Sequence, residues 1–254
     1  MDIKFHTNIN DVTTTIQNNL PDPNLGFQNS SIGSNVFDVI EKFFSNTQAP
    51  VCGSRILILL KRYPNEADSS RLVSLIRYHH AVVHVMTSAT PSGGSQPKTM
   101  TSVASKTNGM GAFEYDYYFP EITYWFPLYN HPYPAYATTI QVSGSGTRTL
   151  PDFHISASHD NHIAITVQDH VSDDSLQKLI LRWTNPDDSG NYTVGPSNIS
   201  TSWHGGSLRG YLGYLPLFNY SMSLDYDYSG HDVQNLQIRI YSLTAPSNWL
   251  PYSD

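Results

Sequence analysis

A single cysteine, Cys52, stands in a chain of 254 residues. No internal disulfide can form, so the fold depends on its core. The lone thiol precedes an apolar run and reads as a small packed residue. Charge is also scarce. There are 14 basic and 21 acidic side chains, for a net charge of −7. That balance is a poor match to nucleic acid and to an anionic membrane surface. No run approaches the roughly 20 apolar residues of a membrane-spanning helix. The chain opens Met1-Asp-Ile-Lys-Phe5 without the apolar stretch of a secretory leader.

Catalytic signatures are missing as well. Gly144-Ser-Gly-Thr and Gly205-Gly-Ser207 do not form the strand–serine–helix elbow of hydrolases. Ser92-Gly-Gly-Ser95 lies before a helix start at Pro97-Lys98, a context that can hold an anion. It lacks both the Walker Gly-Lys-Ser/Thr and the full GxGxxG.

Seventeen tyrosines and sixteen each of glycine and proline are present. Few charges with many Tyr, Ser, Thr, Asn and Gly suit an extracellular β-rich protein. Asn-x-Ser/Thr sites at Asn29, Asn191, Asn198 and Asn219 point the same way. The missing leader points to the cytoplasm, and a truncated chain would reconcile the two.

Composition shifts near residue 120. Before it, Met1 to Phe5 reads as a strand and Asn10 to Asn18 as a short helix capped by Asn10 or Asp11. Ser34 to Phe44 reads as a helix with Val36, Val39, Ile40 and Phe43 on one face and Ser34 as N-cap. Arg55 to Leu60 is a continuous apolar run, expected of a strand buried on both faces. A helix over Asn65–His79, a buried strand over Ala81–Met86 and a helix over Pro97–Asn108 capped by Gly109 follow. Strand–helix–strand–helix implies a parallel, doubly wound sheet, with its chemistry at the carboxyl ends of the strands. Lys61-Arg62-Tyr63-Pro64 holds that position, without an acid.

After residue 120 the pattern becomes all-β. Thr138–Val142 and the segment from Arg148 flank Gly144-Ser-Gly146, a hairpin signal. His162–Val167, Leu176–Trp183, Asn219–Tyr228 and Leu236–Tyr241 read as strands. Along Asn219–Tyr228, Tyr220, Met222, Leu224, Tyr226 and Tyr228 share one face. Six or seven such strands imply an antiparallel sandwich.

The segment 54–113 resembles the later half of a von Willebrand factor A-like domain. The helix 65–79, the strand 81–86 and Ser-Val-Ala-Ser-Lys-Thr-Asn-Gly109 leading to Phe113 carry the likeness. The whole chain resembles an uncharacterised nematode family, related to C-type-lectin-like proteins, that joins such a domain to a C-terminal sandwich. The resemblance implies an N-terminally incomplete domain over 1–118, a connector over 119–136 and a sandwich over 137–254. It implies surface or defence biology but no defined activity. The family's metal site needs a DxSxS loop, a Thr and an Asp. DxSxS is absent, the Thr position falls near Ser34, and the Asp position falls at Lys61-Arg62. We therefore expect no metal, and no cofactor.

Two constellations remain. His154, His159, Asp160, His162, Asp169 and His170 form the densest polar cluster, but their spacing matches no ligand pattern, so turn and surface roles are expected. His79-His80 reads as a helix-end cap, and His84 as a core or rim residue. The aromatic run Tyr115, Tyr117, Tyr118, Phe119, Tyr124, Trp125, Phe126, Tyr129, Tyr133 and Tyr136 reads as an interdomain seam. Trp203, Tyr211, Tyr214 and Phe218, in Gly-rich loops, are the preferred ligand-binding set. The expected function is non-catalytic, extracellular binding of a protein or glycan partner. The alternatives are a self-assembling structural protein and a hydrolase using His154–His170.

Overall fold

The computed structural model describes residues 3–20, 22–121, 126, 131–155, 160–195 and 206–252, apart from the side chains of Pro23, Arg209 and Tyr211. The first part runs α1 (Ile9–Gln17), α2 (Val36–Phe44), β1 (Arg55–Leu60), α3 (Ser70–Tyr78), β2 (Val82–Ser88), α4 (Thr99–Lys106) and β3 (Gly111–Glu114). The three strands form a parallel sheet in the order β1-β2-β3. All seven residues of β2 are buried, as its apolar run implies.

Alternation along β2 sends its side chains into two different cores. Val83 and Val85 join Ile40 and Phe44 of α2, Leu72 and Ile76 of α3, and Met100 and Val103 of α4. Met86 joins Met110, Ala112 and Phe126 with Ala164 and Tyr241 from the second part. Among the described residues, helices α2, α3 and α4 thus pack in one core, and antiparallel strands cover the other face. Winding on both faces by helices is not seen among the described residues.

Several expected boundaries change. Residues 3–5 form no strand, and α1 buries none of its residues. β1 is an edge strand that pairs only with β2 among the described residues, so Leu59 is 55% exposed rather than buried. Helix α3 starts at Ser70, not Asn65, because the Asp68 carboxylate accepts from the Ser70 N–H and hydroxyl and forms a turn there. Its N-cap neighbour in the preceding helix differs too: α2 is capped at Asn35 rather than Ser34. Cys52 is exposed, not packed.

Gly109 does not take the left-handed cap position after α4. Asn108 does, with φ 60°, and Gly109 N–H donates to Ala104 O at 2.9 Å, completing a Schellman motif. Gly109 is required for a different reason: a Cβ there would lie 1.8 Å from the Val83 carbonyl oxygen. His80 repeats the pattern after α3, with φ 51° and Ala81 N–H bonded to Ile76 O.

The second part contains β4 (Tyr133–Val142), β5 (Ser145–His154), β6 (Asp160–Thr166), β7 (Leu176–Thr184), β8 (Ser189–Val194), β9 (Ser207–Tyr214), β10 (Asn219–Tyr228) and β11 (Gln234–Ser242). They make two four-stranded antiparallel sheets, β5-β10-β7-β8 and β4-β11-β6-β9. Both sheets contribute to one core, with Leu224 and Leu181 from the first and Ile163 and Ile238 from the second. All five expected inward residues of β10 are buried. The expected β4–β5 hairpin is absent. Gly144, at φ 61°, turns the chain from one sheet into the other, so β4 pairs with β11 and β5 with β10.

Arg239 of β11 joins the two parts. It is fully buried, and its guanidinium donates to Ser105 O, Gly109 O, Thr138 O, Ile238 O and Thr139 Oγ1. Gly111 N–H also donates to Gln237 Oε1 at 3.0 Å. After β11 the chain returns to the first part: Asn108 Nδ2 donates to Leu250 O and Pro251 O, and Tyr252 OH donates to Ala81 O.

Candidate functional site

The carboxyl ends of β1 and β2 meet at Lys61. Its ammonium donates to Thr90 O, Thr90 Oγ1 and Ser88 Oγ and pairs with the Asp116 carboxylate. Ser88 Oγ donates to the same carboxylate, and Tyr63 OH donates to Ser88 O. Burial works to raise the pKa of Asp116, but the hydrogen bonds from Lys61 and Ser88 outweigh it and hold the carboxyl below its usual value. A side-chain cation therefore sits inside an oxygen cluster drawn from β2, the loop after it and the turn at Asp116.

Arg62 is equally committed. It donates to the carbonyls of Phe27, Asn29 and Ile32 and so fastens the long polar loop to the end of β1. The Ser92-Gly-Gly-Ser95 loop packs against this arrangement. Tyr63 N–H donates to Gly93 O, and Gly94 N–H donates to Ser30 O. The Gly94 amide is thus used internally instead of facing an anion. At φ 82°, with Tyr63 O 1.9 Å from the place of a Cβ, only glycine fits there.

The histidine–aspartate cluster disperses. His154 pairs with Asn219, the His162 ring lies 4.0 Å from that of His131, and His170 lies 3.5 Å from Asp169 and from Asp173. His159 is outside the described residues. Among those described, no three His, Cys, Asp or Glu side chains gather as a metal-binding set. His79 and His80 do more than end a helix: His79 stacks on Phe44 at 4.7 Å and His80 on Trp249 at 4.9 Å. The aromatic run divides. Phe119 and Phe126 pack in the seam, whereas Tyr115, Tyr117 and Tyr118 are exposed. Tyr124, Trp125 and Tyr129 are outside the described residues.

Trp249, which stacks on His80, lines a pocket that sequence reasoning missed; His80 itself is not part of the lining. The two rings are parallel to within 1°, and Trp249 remains 58% exposed. The pocket has a volume of about 260 Å³. Polar groups of Asp152, His154, Asn161, Ser242 and Asn248 share its lining with Phe153 and Pro246. The arrangement offers one flat apolar face beside amide, hydroxyl and carboxylate groups. Such a site can hold a ring with an apolar face and a polar edge. The clue lay in the tail Pro246-Ser-Asn-Trp-Leu-Pro251, a tryptophan between two stiffening prolines with no strand or helix period.

Of the ligand set expected from sequence, Trp203 and the Tyr211 side chain are outside the described residues. Tyr214 is 68% and Phe218 38% exposed. Both adjoin the Trp249 pocket through the backbone. Asn161 Nδ2 donates to Gly213 O, and Ile155 N–H donates to Phe218 O. Asn29, Asn191 and Asn219 are exposed, and Asn198 is outside the described residues.

Residues 138–243 match the model of a domain of unknown function, DUF7154. No curated protein matches the chain. Among solved structures, one similar protein is a von Willebrand factor type A protein from Catenulispora acidiphila, at 10% identity and a TM-score of 0.29, covering 81% of this chain and 37% of that one. Another is a family GH115 4-O-methyl-alpha-glucuronidase, at 13% identity and a TM-score of 0.26, covering 42% of this chain and 14% of that one. The P-domain of Macrobrachium rosenbergii nodavirus is similar at 16% identity and a TM-score of 0.21, covering 42% and 92%. The chain thus spans well under half the length of the first two.

Proposed function

We propose that the chain is a non-catalytic binding protein of adhesion type that takes a glycan on the Trp249 platform. The exposed indole, held flat by His80 above a pocket lined by Asp152, Asn161 and Asn248, carries this reading. A sugar ring offers an apolar face to the indole and hydroxyls to the amides and carboxylate. On this reading the antiparallel part is a jelly-roll sandwich, since its eight strands divide into the two interleaved sheets of that architecture. The parallel part is an incomplete von Willebrand factor A-like domain in which Lys61 supplies the positive charge. The setting is extracellular, supported by exposed Asn29, Asn191 and Asn219. A place in nematode surface or defence biology follows from the sequence resemblance.

A glycan array probed with the full chain and with Trp249→Ala tests the reading. Support is a defined sugar whose binding falls about tenfold in the variant. An array without hits, or hits indifferent to the variant, overturns it.

A second reading, self-association, is favoured by the edge of β1 that is left unpaired among the described residues. Its exposed Leu59 and open backbone form a template for another strand. Light scattering across concentrations decides: a monomer throughout removes this reading.

A further inference from the structure

A second cavity, of about 450 Å³, separates α4 from the β4–β11 edge of the antiparallel part. That volume falls in the range of small-molecule sites, about 300–1,000 Å³. Its composition is unusual for such a site. Ten of its eleven lining residues are polar: seven neutral hydrogen-bonding residues, two lysines and one aspartate, with Ile140 as the exception. An apolar ligand would leave those not already bonded to one another without water or partners, at a cost of about 1–3 kcal/mol for each one buried. The occupant must therefore carry hydrogen-bonding groups of its own where it meets the polar residues.

The floor is already ordered. Gln141 Nε2 donates to Asn235 Oδ1 at 2.9 Å, Asn235 Nδ2 donates to Asp169 Oδ2 at 2.6 Å, and Lys98 Nζ pairs with Asp169 Oδ1 at 2.9 Å. Burial works to raise the pKa of Asp169, but the bonds from Lys98 and Asn235 keep it low and ionised. This chain of bonds cancels Lys98 against Asp169 and leaves Lys106 as the excess charge of the cleft. A local positive charge in a chain of net −7 favours an anionic group.

Thr101 borders the cleft, but it is 2% exposed and packs its methyl group over Gly111. Gln237 places its Oε1 on Gly111 N–H, leaving its NH₂ for the cleft.

We propose that this cleft is a binding site for a small polyhydroxylated anion, a monosaccharide bearing one carboxylate, sulfate or phosphate group. Lys106 meets the anionic group, and Gln141 and Gln237 meet the hydroxyls. The site is separate from the Trp249 platform and stands without it.

Calorimetric titration of the full chain with glucuronate, glucose 6-phosphate, glucose and inorganic sulfate tests the assignment. Glucuronate or glucose 6-phosphate should bind about tenfold more tightly than glucose or sulfate. Lys106→Gln, an exposed change that leaves the fold intact, should remove that preference. Trp249→Ala should leave the affinity unchanged. The proposal is overturned by the absence of binding, by sulfate binding as well as glucuronate, by affinity indifferent to Lys106→Gln, or by loss of affinity in Trp249→Ala.

Discussion

Arg239 Nε donates to the Gly109 carbonyl oxygen at 3.0 Å, linking the last strand of the chain to the end of helix α4. The guanidinium is buried without a carboxylate and is neutralised by oxygen dipoles instead. Burial draws its pKa down to about 10, which leaves it charged at neutral pH. Arg239→Leu should cost about 3 kcal/mol or more, since several buried carbonyls lose a donor together. Arg239→Lys should recover only part, because an ammonium cannot reach the same set. Denaturant unfolding of both variants measures this, and a loss under about 1 kcal/mol would show that water replaces the guanidinium.

His84 should make stability depend on pH. Burial, reinforced by Arg239 and Arg55, lowers its pKa from 6.5 to about 3. Below pH 6.5 the unfolded chain takes up a proton on this ring and the folded chain does not. Stability should fall by about 1.4 kcal/mol for each pH unit between 6 and 4. Asp173 acts in a lower window. Burial works to raise its pKa, but hydrogen bonds from Ser175 and Gln168 outweigh it and bring it to about 2. His84→Leu should flatten the profile between pH 6 and 4, and an unchanged slope would place the proton elsewhere.

Lys61 should make the chain indifferent to divalent cations. With its ammonium inside the Ser88–Thr90–Asp116 oxygen cluster, Mg²⁺ or Mn²⁺ should leave the melting temperature unchanged. A clear metal-dependent rise would contradict the assignment. Lys61→Met should lower the melting temperature by leaving Asp116 without its cation.

Gly109→Ala should be among the most damaging single-methyl changes, because the new Cβ would meet the Val83 carbonyl oxygen at 1.8 Å. We expect a loss of about 3 kcal/mol or more in chemical unfolding. Asn108→Gly, one residue earlier, relieves a left-handed φ but removes two bonds to the tail, and should lie near neutral.

Glycan attachment at Asn29, Asn191 or Asn219 should appear as a mass loss when the native protein is treated with glycosidase. A bare chain would remove the extracellular setting while leaving both binding sites open to test.

Some of this was legible in the residues. The alternation of Tyr220, Met222, Leu224, Tyr226 and Tyr228 fixed the inward face of β10 because a strand has a period of two. The apolar run of β2 announced burial on both faces. The same run in β1 misled, since an edge position depends on which neighbours exist and not on composition. Gly144 was read as a hairpin turn because a positive φ serves a tight turn and a change of sheet equally well. The basic pair Lys61-Arg62 was visible at the carboxyl end of β1, but its partners Ser88, Thr90, Asp116 and Phe27 are brought there only by the fold. The Trp249 pocket and the α4 cleft draw on segments far apart in the chain, and no local pattern joins Trp249 to His80 or Lys106 to Gln141.

The return of the tail to the first part has a consequence for synthesis. Trp249 stacks on His80, and Tyr252 bonds to Ala81, yet these residues emerge from the ribosome only after the whole antiparallel part. The parallel sheet therefore waits, incompletely covered, while more than half of the chain is still being made. Its Met86 face and the carbonyls at Ser105 and Gly109 must stay unmatched until β11 arrives. Nascent chains halted before Arg239 should accordingly bind chaperones and resist proteases poorly, whatever the state of their helices.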